Sequence, residues 1–305
     1  MWKRIFVTAF LSAAVLLPVQ ARKNFYSVNK IWGGDAYCAF TSLVEFKGRY
    51  YCAFREGEGH VFDSRGNAEG KIRVLVSRNG RKWRSVYLAS KPGFDLRDPK
   101  LSVTSDGRLM VNMGGSIYRN KTLTGSIPQV CFSRDGKVFS EPQSVEFKDN
   151  DKHGHDWLWY MTWKDGKGYS VNYSSQAKLG LYSTEDGVSF EKVTDLAPSG
   201  NEVAIHFLPD GRMALLVRCD NEDSRGWWGT SEAPFADWTW KRLDFHIGGP
   251  DFVVDGNDIY AAGRFFTPHA KTAIHKGDAS GNFDTKFLLP SGGDCSYPGD
   301  RKSVV

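Results

Sequence analysis

Beyond its first 21 residues the chain alternates short apolar strands with polar turns, and no stretch sustains the 3.6-residue apolar period of a long helix. One unit recurs: an apolar strand, a Gly turn and a second apolar or aromatic strand. It reads "LVEFKGRYYCAFR", "LSVTSDGRLMVNM", "MTWKDGKGYSVNY", "AIHFLPDGRMALLVR" and "DFVVDGNDIYAAGR". Gly accepts the positive φ that a tight hairpin turn requires, so each unit predicts two antiparallel strands. The turn glycines, Gly48, Gly107, Gly166, Gly211 and Gly256, are spaced by 59, 59, 45 and 45 residues. A regular period of that size, at four strands per repeat, predicts an all-β propeller.

A second series lies between the hairpins: "SRNGRKW" from residue 77, "SRDGKVF" from 133 and "STEDGVSF" from 183. Each looks like a Ser-x-Asp-x-Gly-x-x-Trp turn with some positions altered, in which the Ser and Asp (or, at 79, Asn) side chains hold the backbone and an aromatic residue packs beneath. In the fourth unit "TSEAPFADWTW" replaces this turn by a longer loop. Five complete units fall at 38–90, 95–146, 155–195, 201–244 and 246–290, and a sixth starts at "GGDCSYPG". The expectation is a six-bladed β-propeller whose sixth blade is truncated, with five complete blades plus a stub as the alternative. Residues 22–305 are expected to form a single domain.

Composition adds location and excludes partners. "MWKRIFVTAFLSAAVLLPVQA" has two basic residues, an apolar run and a small-x-small ending, the pattern of a signal peptide cut after Ala21. No later run approaches the roughly 20 apolar residues of a membrane span. Export to the periplasm or the medium is expected, as a monomer. Without Lys3 and Arg4 the formal charge falls from +5 to +3, and the other basic residues are scattered among acids, which argues against nucleic acid. The five cysteines (38, 52, 131, 219 and 295) form no Cys-x-x-Cys pair and read as apolar residues.

In a propeller, one mouth of the channel collects the starts of innermost strands and the ends of second strands. The starts carry Arg97, Asp98, Asp156, Trp157, Asn201, Glu202, Asp251 and Tyr297; the ends carry Arg55, Glu56, Asn172, Tyr173, Arg218, Asp220 and Arg264. Arg55, Arg218 and Arg264 hold equivalent positions in three units. Guanidiniums converging on one mouth repel unless an anion lies between them, and their planar fork suits a carboxylate. His153 and His155 lie two apart, but with no third ligand at a recognisable spacing they read as a solvated loop. No metal or cofactor is expected.

Together the hairpins, the degenerate Asp-box turns, the arginines and Tyr297 resemble the sialidase superfamily, from about residue 36 to the end. "NEVAIHFLPDGRMALLVR" carries the strongest likeness. The resemblance implies that Glu202 activates a tyrosine nucleophile, that Tyr297 is that nucleophile, and that Arg218 binds a sugar carboxylate with Arg264 and either Arg55 or Arg97. A neutral phenol suits an anomeric carbon that carries a carboxylate, which would repel an anionic nucleophile. Two departures stand out. Ala39 in "CAFTSL" replaces an arginine of the family's carboxylate clamp, and the acid/base is not determined, with Glu56, Glu58, His60 and Asp63 in the corresponding loop. His60, ordinarily titrating near neutrality, and Asp63 are the alternatives kept. Asp98 and Trp157 complete the expected substrate-binding set. The implied activity is an exo-acting retaining glycosidase that releases a terminal acidic sugar, with sialic acid first. Alternatives are a hydrolase or lyase acting on a uronic-acid glycan with His60 as acid/base, and a non-catalytic carbohydrate-binding propeller.

Overall fold

The computed structural model describes residues 28–174, 178–221, 223–266, 269–291 and 295–299. The expected signal peptide lies outside them, as do residues 300–305. The chain divides into two units at Trp32. Of the first, only residues 28–31 are described, and they are irregular.

The second unit contains no helix among its described residues and is built from antiparallel hairpins. Blade one is β1 (Tyr37–Phe46), β2 (Arg49–Gly57), β3 (Lys71–Ser77) and β4 (Trp83–Ala89), in that spatial order. Blade two has β5 (Asp95–Val103) and β6 (Leu109–Arg119) innermost; β7 (Thr122–Ser126) pairs the far end of β6, and β8 (Gln129–Ser133) and β9 (Gln143–Ser144) complete the sheet. The short β10 (Glu146–Phe147) then crosses to blade three, where it pairs in parallel with that blade's outermost strand. Blade three proper is β11 (Asp156–Lys164), β12 (Lys167–Ser174), β13 (Leu179–Thr184) and β14 (Ser189–Leu196). Blade four is β15 (Asn201–Phe207), β16 (Met213–Arg218), β17 (Trp227–Ser231) and β18 (Thr239–Arg242). Blade five is β19 (Gly248–Asp255), β20 (Asp258–Phe266), β21 (Ala270–Gly277) and β22 (Phe283–Leu289).

The architecture is therefore a β-propeller with five complete blades, the alternative reading of the repeats. Residues 295–299, expected to begin a sixth inner strand, are irregular. They lie against blades one and three: the Thr41 hydroxyl donates to the Tyr297 carbonyl, and the Tyr160 hydroxyl donates to the Pro298 carbonyl at 3.1 Å.

Blades stack face to face, so their inner strands bury both faces. All nine residues of β5 except Val103 are buried, and in β16 only Arg218 is not. One continuous core joins blades three, four and five through Val171, Leu181, Val203, Leu215, Val217 and Phe252. Each such side chain contributes roughly 1.5–3 kcal/mol by leaving water. The predicted outer turns close as their side chains dictate. Asp135 accepts from the backbone of Lys137 and Val138 at 2.8 and 2.9 Å, and Asp186 does the same for Val188 and Ser189 at 2.7 and 2.8 Å. Cys52, Cys131 and Cys219 are buried, as their reading as apolar residues expects, whereas Cys38 is exposed.

One irregularity repeats. Every inner strand slips register near its start, between Ala39 and Ser42, Arg97 and Lys100, Leu158 and Met161, Asn201 and Val203, and Gly248 and Asp251. A bulge turns one side chain away from its regular direction and is common beside active sites. At four of these bulges the extra residue has positive φ: Phe40 (63°), Asp98 (50°), Glu202 (44°) and Gly249 (55°). Tyr297, in the 295–299 segment, has φ 62°. Left-handed backbone costs a non-glycine residue on the order of 1–2 kcal/mol, so its recurrence at one address marks a site held by the surrounding fold.

Candidate active site

The strained residues meet at the mouth. The Tyr297 hydroxyl donates to Glu202 Oε1 at 3.0 Å. Glu202 Oε2 accepts from Arg218 Nη1 at 2.7 Å and from the Gly249 backbone N–H at 2.8 Å. The carboxylate is thus held on both oxygens and turned towards the phenol. Gly249 is required here twice over. Its φ is left-handed, and a Cβ would lie 2.8 Å from Cδ1 of Tyr297, too close for any side chain.

Cations surround this pair. Arg218 Nε donates to Asp220 at 3.0 Å, while its Nη2 makes no hydrogen bond to a described residue. Arg264 Nε donates to the Cys295 carbonyl at 2.7 Å, and its guanidinium lies 5.9 Å from the centre of the Tyr297 ring. Arg97 approaches from blade two, between the rings of Phe40 (5.0 Å) and Trp157 (6.0 Å), with Nε 3.3 Å from Asp98. Trp157 stacks on Tyr173, and its backbone N–H donates to Asn172 Oδ1 at 2.9 Å.

These neighbours set the acidities. Burial pushes the Tyr297 phenol well above its ordinary value, Glu202 and Asp98 push it further, and Arg218 and Arg264 oppose them. Burial likewise raises Asp98, against the pull of Arg97 and Lys100. Arg218 is raised because Glu202 and Asp220 outweigh the burial that works against its charge. The phenol is therefore neutral at rest and needs a base to react. Glu202 is in place for that role.

Two expected residues lie elsewhere. Arg55 sits opposite Ala39, the same register address as Arg218 opposite Asn201 and Arg264 opposite Gly248. Its guanidinium, however, is buried in the wall between blades one and two, donating to Asp95 at 2.7 and 3.1 Å and to the carbonyls of Gly59 and Val61. A carboxylate facing it from β5 turns the side chain into a clamp between blades, so it offers nothing to a ligand. Asp63 is a loop-closing residue: it accepts from the backbone of Asn67 and Arg65 at 2.7 and 2.9 Å, and those bonds, Asn67 first, hold its carboxyl below the usual carboxylate range. A carboxylate so held is a poor proton donor near neutrality.

His60 occupies an intermediate place. It is exposed on the rim, shares a 3.1 Å hydrogen bond with the Tyr37 hydroxyl, and meets the edge of Phe40, whose ring also abuts Tyr297 at 4.9 Å. Of the other acids in this loop, Glu56 is paired to Arg73 at 2.7 Å. His153 is tied between Asp149 and Asp156 at 2.7 and 2.9 Å and fastens the loop entering blade three. A cavity of about 680 Å³ opens over blade three rather than over Tyr297. It touches the mouth only at Asp156, a strand start, and Asn172, a strand end, so the hydrogen-bonded cluster, not this cavity, defines the candidate site.

Sequence reasoning missed Phe40, Lys100 and Gly249. A signal for the bulges was present: Asp98-Pro99, Gly249-Pro250 and Tyr297-Pro298 repeat one X-Pro pair at one address of the repeat. Lys100 follows directly in "RDPK" but reads as an ordinary strand lysine until the fold places it inward.

No family model matches this chain, and no curated relative does. Solved structures do resemble it. A protein of unknown function from Dyadobacter fermentans superposes with TM-score 0.74 at 17% identity, over 88% of each chain. The NanB sialidase of Streptococcus pneumoniae matches with TM-score 0.65 at 10% identity, over 85% of this chain and 63% of its own. A family 117 glycoside hydrolase of Zobellia galactanivorans matches with TM-score 0.56 at 13% identity, over 80% of this chain and 85% of its own. At these identities the likeness establishes the propeller fold, which sialidases and other glycoside hydrolases share.

Proposed function

We propose that this chain is an exported glycoside hydrolase that releases a terminal acidic sugar by a retaining mechanism, with sialic acid as the first candidate and a uronic acid the second. The observation that carries this reading is the 3.0 Å hydrogen bond from Tyr297 to Glu202, whose other oxygen is held by Arg218 and Gly249. Propellers of similar fold in sialidases and in a family 117 glycoside hydrolase support the glycosidase class.

In the first step the Tyr297 oxygen bonds to the anomeric carbon as its proton passes to Glu202. The glycosidic C–O bond breaks, and the leaving oxygen takes a proton from the acid, the role proposed for His60. In the second step water attacks the anomeric carbon and gives its proton to His60, the tyrosyl C–O bond breaks, and Glu202 returns its proton to the phenolate. Arg218, Arg264 and Arg97 receive the sugar carboxylate, Arg97 standing on the side of the mouth that Ala39 leaves without a cation. Trp157 offers a face to the sugar ring.

The test is hydrolysis of fluorogenic sialoside and uronide substrates by wild type, Tyr297→Phe, Glu202→Gln and His60→Ala. Wild type should cleave one of them, with kcat falling by about 10³-fold in the first two variants and about 10²-fold in the third. Full activity in Tyr297→Phe would remove the nucleophile assignment. Binding of acidic sugars without cleavage of either substrate would favour a carbohydrate-binding propeller.

A further inference from the structure

Lys100 is 1% exposed, and its ammonium lies within the ring of strand starts. Its Nζ is 4.3 Å from the centre of the Trp159 ring, 4.9 Å from Tyr160 and 5.5 Å from Tyr297, over the face of each. Burying an ammonium costs several kcal/mol unless it is compensated, and aromatic faces compensate in part. The rest comes from Asp98, Asp251 and Glu202, contributed by three different blades. A cation enclosed in this way, against the ring of the residue proposed to attack, is more than filling.

We propose that Lys100 is a positioning residue whose ammonium, seated over the Tyr297 ring, stabilises the negative charge that Tyr297 gains as its proton moves to Glu202. The inference rests on the reading of Tyr297 as nucleophile and makes one addition to it: the reaction requires Lys100 in its charged form. At rest the ammonium balances Glu202. When Glu202 takes the proton, the anionic charge shifts towards the phenolic oxygen, and the Lys100 ammonium and the Arg264 guanidinium both lie over the ring that carries it, 5.5 and 5.9 Å from its centre.

Charged and titratable groups surround Lys100 on several elements, and Asp98, Asp251 and Glu202 act on its charge. Asp98 and Arg97 stand on β5, Trp159 and Tyr160 on β11, Glu202 on β15, Asp251 on β19 with His206 hydrogen-bonded to it at 3.0 Å, and Tyr297 on the 295–299 segment. Arg218 and Arg264 face Tyr297 from β16 and β20. Burial pulls Lys100 down to about 8, against the pull of its three carboxylates. Tyr297 and the arginines Arg97 and Arg218 are all shifted upward. Lys100 therefore loses its charge just above neutrality, while those three are carried further from it.

The experiment is the pH dependence of kcat/KM with Lys100, Lys100→Arg and Lys100→Met, each in the His60→Ala background so that the imidazole adds no limb of its own, on the substrate that wild type cleaves. Without the imidazole, the protein with Lys100 should lose activity with a midpoint at about 8, Lys100→Arg should keep it at least one to two pH units higher because a guanidinium stays protonated, and Lys100→Met should lose that limb; with His60 present, Lys100→Met should lose about 10- to 100-fold in kcat with little change in KM. A purely structural lysine would change thermal stability without moving the limb. If wild type cleaves its substrate and the limb is the same in Lys100→Arg, the role of Lys100 is refuted while Tyr297 stands. If wild type cleaves neither substrate, the nucleophile assignment falls and this proposal falls with it. Circular dichroism identifies a Lys100→Met that fails to fold, and Lys100→Arg then decides.

Discussion

Arg55 and Arg218 occupy matching ends of second strands, and their surroundings separate them. Arg55 meets Asp95, which is fully buried and also accepts the Gly70 N–H at 2.6 Å, so the pair forms a dry bolt between blades one and two. Arg218 meets Glu202, which already serves Tyr297, and its side chain stays partly exposed at the mouth. Residue type and repeat position were visible in the chain; which arginine faces an acid across a blade boundary was not, because Asp95 is distant in sequence. Removing Arg55 leaves the buried Asp95 with the Gly70 N–H and the more distant Arg97, at 3.7 Å, and losing the near member of such a pair costs up to about 3–5 kcal/mol. Arg55→Met should accordingly lower the free energy of urea-induced unfolding by that amount while leaving KM unchanged at a temperature where the variant is folded. An unchanged unfolding midpoint with a raised KM would return Arg55 to the substrate-binding set.

At the scale of strands and blades, turn chemistry and apolar alternation were enough to place all five hairpins. The structure begins its inner strands at residues 37, 95, 156, 201 and 248, within two residues of the expected unit starts. The bulges were not legible in the same way. A one-residue slip leaves short apolar runs on either side of it, so beyond the repeated X-Pro pairs it shows only in the pairing register, and with it went the inward aim of Lys100. Blade five carries a further consequence of burial that the pattern did not show. His275, on β21, is fully buried, stacks on Phe245 at 4.2 Å and shares a hydrogen bond with Thr285. Burial, opposed only weakly by Asp244, pulls its pKa from 6.5 to about 4. The unfolded chain therefore binds a proton that the folded chain refuses between those values, and stability falls as pH drops from 6.5 towards 4. The full shift corresponds to about 3 kcal/mol, so stability measured by denaturant titration should be undiminished by this group above pH 6.5 and should decline progressively below it. His275→Gln should flatten that decline relative to wild type; an identical acid slope in the two proteins would show that His275 does not set it.

Across the whole molecule, the candidate site depends on how residues 295–299 are seated. Besides the Tyr297–Glu202 bond to blade four, four side-chain bonds fasten that segment to three further blades: Thr41 of blade one to the Tyr297 carbonyl, Tyr160 of blade three to the Pro298 carbonyl, and, at blade five, Ser296 to the Gly248 carbonyl and Arg264 to the Cys295 carbonyl. Each is worth about 0.5–1.5 kcal/mol, small beside the burial that holds the blades together. Their effect on Tyr297 in its proposed role is larger, because a nucleophile displaced by about 1 Å from its base loses on the order of 10²-fold in rate. Thr41→Val removes the donor to the Tyr297 backbone and conserves shape. It should lower kcat by about tenfold and leave thermal unfolding nearly unchanged. The double variant Thr41→Val with Tyr297→Phe separates seating from any direct part in the reaction, since a residue that acts through Tyr297 has nothing left to position once the phenol is gone. Thr41→Val should then cost nothing further in the Tyr297→Phe background. An equal loss in both backgrounds would mean that Thr41 acts on the substrate itself, and that blade one supplies chemistry as well as a wall.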